Sequence, residues 1–318
     1  MILSIADIPE RLLSMVKNRT GEEITVCEYF NNRKQALKMI PDAEILITWG
    51  RPVNQGLFNE IDGFNFKWLF SLSVGVDRLP FKELKENGTI VSNIKGVLNT
   101  NIAEQAMGIM ILFSRQLKRS ILNQQNKCWE RNMPVNELTG KTLCIIGAGS
   151  IGSEIAKRAK AFEMSVIGIS LSARPMPGFD AVVDIGQLHT ILPEADYIVL
   201  MIPLTDKTYH LFGEMEFSLM KKSGIFINLS RGDVTDEQAL VNALKERRIA
   251  GAGLDVFHQE PLPEDNPLWE MENVVLTPHC AGDSPMVLER AMNLFADSLV
   301  LYRQGKDIPN IVDLNRGY

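Results

Sequence analysis

Short apolar runs alternate along the chain with stretches in which apolar residues recur every three or four positions. The runs Ile2–Ile5, Ile24–Cys27, Ile45–Thr48, Trp68–Leu72 and Thr89–Asn93 read as strands. Ile8–Lys17, Arg33–Ile40 and Phe81–Glu86 read as helices, with Pro9 in the first turn of one and Gly88 closing another. Such alternation predicts a mostly parallel sheet covered on both faces. Asn101–Leu122 follows as one long helix with Ile102, Ala106, Ile109, Met110, Phe113 and Leu117 as its apolar stripe, and the polar segment Asn123–Gly140 reads as an exposed arm. A second α/β unit starts at Lys141. Its strands are Thr142–Ile146, Ser165–Ile169, Tyr197–Met201, Gly224–Leu229, Ala250–Leu254 and Val274–Leu276. A helix over Asp236–Glu246 is preceded by Thr235, which forms a capping box with Gln238, and Ser284-Pro285 opens a last helix to about Tyr302.

The second unit is complete by Gly282, so the last helix is expected to return to the first. The predicted fold is α/β: two doubly wound parallel-sheet domains, Rossmann-like and flavodoxin-like, with a cleft between them. A discontinuous substrate-binding domain takes residues 1–98 plus 285–318, and a dinucleotide-binding domain takes 99–284.

The dinucleotide expectation comes from Leu143–Gly152, LCIIGAGSIG. An apolar run stops at glycine, glycines stand at Gly147, Gly149 and Gly152, and Ile151, Ile155, Ala156 and Ala159 then recur at helical spacing. Strand, tight turn and helix in that order put free N–H groups and the positive end of a helix dipole where a pyrophosphate binds.

Composition narrows the field. The 318 residues are 45% hydrophobic and 23% charged with a net charge of −6, which favours neither nucleic acid nor an anionic membrane. Cys27, Cys128, Cys144 and Cys280 form no CxxC pair, no basic leader precedes the first strand, and no apolar run approaches the ~20 residues of a membrane span. A reduced, cytoplasmic protein is expected. No His/Cys cluster suggests a metal.

Three stretches at strand ends carry candidate chemistry, and in open α/β sheets such ends face one crevice. Arg231, in INLSRGDV, can grip a carboxylate with paired donors, or else form an interdomain ion pair. His279, in VVLTPHCAGDS, can exchange a proton near neutral pH. Glu260, in LDVFHQEPLPEDNP, can be the acid that fixes its tautomer and favours its charged form.

With these residues in view, the chain resembles the D-isomer-specific 2-hydroxyacid dehydrogenase family over nearly its full length. The resemblance rests on SVGVD (Ser73–Asp77), IAEQAM (Ile102–Met107), GAGSIG (Gly147–Gly152), NLSRGD (Asn228–Asp233), DVFHQEP (Asp255–Pro261) and TPHCAG (Thr277–Gly282). It implies hydride transfer between a nicotinamide cofactor and a small 2-oxo or 2-hydroxy acid, of the glyoxylate/hydroxypyruvate type. Arg231 would bind the carboxylate, His279 would be the acid/base paired with Glu260, and the backbone of Val74 and Gly75 would hold the substrate. Ile94, Gly147, Gly149, Ser150, Ile151, Gly152, Ile202, Pro203, Leu229, Ser230, Asp255 and Gly282 would line the cofactor, with Asp255 by the nicotinamide carboxamide. A homodimer is implied, with the helix from Asn101 and the Trp129 arm as its interface.

The chain departs from the family pattern at Ser170. An acid that would hydrogen-bond an adenosine 2′-hydroxyl is missing there, and Arg174 follows. NADP(H) is therefore the expected cofactor, with NAD(H) the alternative. Gln105, where many relatives carry His, is expected to stand apart from the chemistry. Arg51 is either a pocket cation for a second anionic group or a solvated loop residue. The chain ends soon after its last helix, which points to a stand-alone reductase. Two other readings of the fold remain: a nucleotide-gated co-regulator and a phosphite-type dehydrogenase.

Overall fold

The computed structural model describes residues 1–50, 56–61, 63–77 and 79–316. Arg51 lies outside the described residues. The chain forms two units, Met1–Leu98 with Ser284–Tyr318, and Asn99–Asp283.

In the first unit the strands are β1 (Ile2–Ser4), β2 (Ile24–Val26), β3 (Ile45–Thr48), β4 (Trp68–Ser71) and β5 (Ile90–Asn93). All pair in parallel, in the order β2-β1-β3-β4-β5. Side chains alternate between two cores. Ile2, Ile45, Ile47, Trp68 and Phe70 enter one, while Leu3, Leu46 and Leu69 enter the other. The first core is closed by the helices Glu10–Thr20 and Val287–Arg303, through Leu12, Val16, Met292, Phe295 and Leu299. Trp68 stacks on Phe295 with ring centroids 5.3 Å apart, and its indole N–H donates to Ser92 Oγ at 2.8 Å. The last helix starts at Val287, three residues later than the sequence suggests, because Ser284 Oγ accepts the Met286 N–H and forms a turn instead. Val74 and Gly75 follow β4, and Ile94 follows β5, in this unit.

The second unit holds β6 (Thr142–Ile146), β7 (Ser165–Ser170), β8 (Ala181–Asp184), β9 (Tyr197–Leu200), β10 (Ile225–Asn228), β11 (Gly251–Leu254) and β12 (Val274–Leu276). All are parallel, in the order β12-β11-β10-β9-β6-β7-β8. From β6 the chain builds outward to β8, then returns to the other side of β6 at β9. The direction of winding reverses between β6 and β9, where sheets of this kind bind ligands.

Two local expectations are corrected. The long helix is two, Asn99–Ser114 and Leu117–Gln125, broken where Gln116 takes φ +54° and the Ser114 carbonyl accepts the Asn136 N–H at 2.7 Å. The helix after β10 spans Glu237–Lys245 and is capped by Asp236, whose side chain accepts the Ala239 N–H at 3.0 Å. Thr235 is buried, and its hydroxyl accepts from the Asn228 side chain instead. Strand β8 is not among the strands read from the sequence; its only apolar residues are Ala181, Val182 and Val183, and none of its residues is fully buried.

Phe295→Ala should remove the stacking partner of Trp68 and cost about 3–5 kcal/mol of stability in the first unit, read by urea denaturation. A cost below about 1 kcal/mol would mean that the last helix does not close this core.

Candidate active site

The glycine turn follows β6. Gly147 has φ +111°, and a Cβ there would sit 2.3 Å from the Met201 carbonyl oxygen, where β9 ends. A Cβ on Gly152 would sit 2.3 Å from the Gly147 carbonyl oxygen. The chain's own packing therefore demands the first and third glycines. Gly149 is different, for a Cβ there would meet nothing within 4 Å. That open cradle lies at the start of the helix Ser150–Ala161, whose first-turn N–H groups have no carbonyl to bind within the helix. The cradle, with the Ser150 and Ile151 amides at its rim, fits the pyrophosphate of a dinucleotide.

Other residues at the same sheet edge follow from the parallel strands. Ser170 ends β7 half-buried, and the exposed turn Leu171–Arg174 follows it. Ile202 and Pro203 come just after β9, and Leu229 and Ser230 are buried just after β10. Gly282 accepts a hydrogen bond through its carbonyl from the Asn101 side chain at 2.8 Å.

Asp255, directly after β11, is only 2% exposed. One carboxylate oxygen accepts the Thr277 hydroxyl and, at 3.0 Å, the Cys280 N–H, while the other accepts the Ala281 N–H at 2.9 Å. These donors flank His279, which takes φ +53°. A left-handed backbone costs a non-glycine residue about 1–2 kcal/mol. Three bonds to one buried carboxylate hold it there. Gln105 donates to the Thr277 hydroxyl at 3.2 Å and so adjoins this anchor, with no hydrogen bond to Arg231, Glu260 or His279 among those described.

His279 Nδ1 lies 2.8 Å from Glu260 Oε2, and Glu260 Oε1 accepts the Phe257 N–H at 3.1 Å. Burial pushes the Glu260 carboxyl pKa up, but the hydrogen bond and charge of His279, the Phe257 N–H and the Arg231 charge outweigh it, leaving the pKa below its ordinary 4.5. With Nδ1 turned to a carboxylate, Nε2 is the ring nitrogen left to exchange a proton.

Arg231 is placed by Asn228, the last residue of β10. The Asn228 side-chain oxygen accepts the Ser230 N–H at 3.0 Å and the Ser230 hydroxyl at 2.8 Å, and its amide donates to the Arg231 carbonyl at 2.9 Å. The guanidinium donates to the Ser230 carbonyl at 2.7 Å. Next in the chain, Gly232 passes against the neighbouring loop so closely that a Cβ would lie 2.0 Å from the Phe257 carbonyl. Arg231, Glu260 and His279 thus come from loops at the carboxyl ends of β10, β11 and β12. The supporting roles of Asn228, Gly232 and Thr277 were not read from the sequence, although each lies within a motif already quoted. Among the described residues no group of three or more His, Cys, Asp or Glu could hold a metal, and no helix is long and apolar enough to cross a membrane.

Residues 107–281 match the family described as D-isomer specific 2-hydroxyacid dehydrogenase, NAD binding domain. The chain is 34% identical over 313 residues to a glyoxylate reductase of Korarchaeum cryptofilum, across 96% of this chain and 94% of that one. It is 35% identical over 288 residues to a D-3-phosphoglycerate dehydrogenase of Methanocaldococcus jannaschii, across 89% of this chain but 54% of that one. A D-isomer specific 2-hydroxyacid dehydrogenase family protein from Aeromonas salmonicida has the same fold, with a TM-score of 0.86, 30% identity and 98% of both chains covered. So does an acyclic imino acid reductase solved with NADPH and D-Arg, with a TM-score of 0.86, 28% identity, and 98% of this chain and 100% of that one covered.

Asp255→Asn places an amide donor among three donors, and it should lower kcat about 10²-fold by displacing His279 while the fold persists by near-UV circular dichroism. An unchanged kcat would show that the His279 loop holds itself. Glu260 titrates below 4.5, so its contribution to stability is present above that pH and is lost as pH falls through the lowered value. The melting temperature of the native protein should therefore drop more steeply below pH 4.5 than that of Glu260→Gln; parallel curves would contradict the pairing.

Proposed function

The chain belongs to the D-isomer-specific 2-hydroxyacid dehydrogenase family, and we propose that it reduces a small 2-oxo acid of the glyoxylate or hydroxypyruvate type, with NADP(H) preferred over NAD(H). The observation that carries this reading is His279, anchored through Asp255 and held by Nδ1 against Glu260. A bound reduced nicotinamide supplies the hydride that reaches C2 of the substrate. Arg231 grips the substrate carboxylate and steadies the reacting oxygen. His279 Nε2 gives its proton to that oxygen, leaving a 2-hydroxy acid, and Glu260 stabilises the imidazolium until the transfer. In the oxidative direction the neutral Nε2 takes the hydroxyl proton back.

The cofactor preference rests on Ser170 and Arg174. No carboxylate stands at Ser170 to repel a 2′-phosphate, and the exposed Arg174 can meet one. The substrate class draws support from the curated relatives named glyoxylate reductase. Free thiols at Cys27, Cys128, Cys144 and Cys280 suit the cytoplasm.

We assign the face of helix Leu117–Gln125 and the arm after it to a second copy of the chain, as a homodimer. None of that helix's residues is buried, Leu117, Ile121 and Leu122 are exposed on it, and Trp129 is 93% exposed.

Purified protein should oxidise NADPH with glyoxylate or hydroxypyruvate, and His279→Ala should lower kcat about 10²–10⁴-fold. Arg174→Ala should raise KM for NADPH about tenfold and leave KM for NADH unchanged. Turnover with NADH alone would overturn the cofactor preference, and phosphite-dependent reduction of the cofactor would overturn the substrate class. Sedimentation equilibrium should give a dimer at micromolar concentration, and Trp129→Asp should shift it toward monomer.

A further inference from the structure

Asp233 and His258 take no part in the chemistry above, yet they stand where its loops meet. Gly232 crosses the Phe257 backbone, and beside that crossing His258 Nδ1 lies 2.5 Å from Asp233 Oδ1. The His258 backbone N–H donates to Glu237 Oε2 at 3.2 Å, and Glu237 Oε1 accepts from the Asn266 side chain at 2.8 Å. The Asp233 carbonyl accepts the His210 N–H at 2.8 Å. One residue pair therefore ties the turn after Arg231 to the loop that leads to Glu260.

We propose that His258 and Asp233 form a positioning latch, which holds the Arg231 loop in register with the Glu260 loop while the His258 imidazole is protonated and slackens when it is neutral. This rests on the reading of Arg231 and Glu260 as working residues. The charged groups facing His258 are Asp233 on the turn and Glu237 on the first turn of the next helix, both acidic. Glu260, on its own loop, is engaged with His279 and Phe257. The hydrogen bond to Asp233, then that residue's charge, raise the His258 pKa above 6.5, with slight burial opposing and Glu237 adding. A raised value means that the latch is fully closed below pH 6.5 and is lost as pH climbs through the folded value. His258 is 64% exposed, so the effect is that of a surface pair. It should fall on substrate binding by Arg231 and not on the proton transfer.

The test uses the full chain and whichever 2-oxo acid it turns over fastest. His258→Gln should raise KM for that acid about threefold at pH 6 and leave it unchanged at about pH 9, where the native imidazole is already neutral. The kcat and the KM for the nicotinamide cofactor should stay as in the native chain. Asp233→Asn should do the same, and the double variant should be no worse than either. In NMR titration the His258 ring should titrate above 6.5 and move back toward it in Asp233→Asn. A native KM at pH 6, additive effects of the two substitutions, or a titration indifferent to Asp233 would each overturn the latch. A native protein that turned over no 2-oxo acid would overturn the proposed function instead, and the titration alone would then decide the pair.

Discussion

A carboxylate taken out of water must be met by donors, and Asp255 finds three of them in the loop that carries His279. The requirement runs both ways. The anion needs the Cys280 and Ala281 amides, and those amides can reach it only if the residue before them turns left-handed. The backbone strain at His279 is thus held by an electrostatic demand one strand away. The Asp255 N–H in turn donates to the Asn228 carbonyl at 3.1 Å, so the anchor is tied to the strand that ends beneath Arg231.

Asn228 follows the same logic with an amide. Buried, it must satisfy both an acceptor and a donor group, and it does so with Ser230, Arg231 and Thr235, all within the seven residues that follow it. Asn228 and Asp255 are therefore buried and hydrogen-bonded, while the side chains they support reach water. His279 and Glu260 are half and a third exposed, at 50% and 35% of their side chains.

Much of this was legible in the sequence, because strands of a parallel sheet announce themselves as apolar runs and glycines mark where backbones must touch. The Gly147 turn, the strand ends bearing Arg231, Glu260 and His279, and the return of the last helix to the first core all come from such signals. What stayed hidden depended on partners far along the chain. Thr235 and Asp236 are both good caps, and only the Asn228 amide, which engages the Thr235 hydroxyl, decides between them. Gln116 breaks an otherwise continuous apolar stripe because the arm returns to take the Ser114 carbonyl. Gln105 looked remote because Thr277, which joins it to Asp255, lies on the far side of the unit's sequence.

The packing of Trp68 against Phe295 has a consequence for synthesis. The first strands leave the ribosome early, but the helix that covers Trp68 and Phe70 comes only after residues 99–283. At about 5–20 residues per second that interval is on the order of 10–40 s. For all of it the sheet face that carries Trp68 and Phe70 has the helix Glu10–Thr20 but lacks Val287–Arg303, while the later unit is complete in sequence at Asp283, before that last helix is made. The part made first is completed last, so its core can close only after the whole of the other unit has been synthesised.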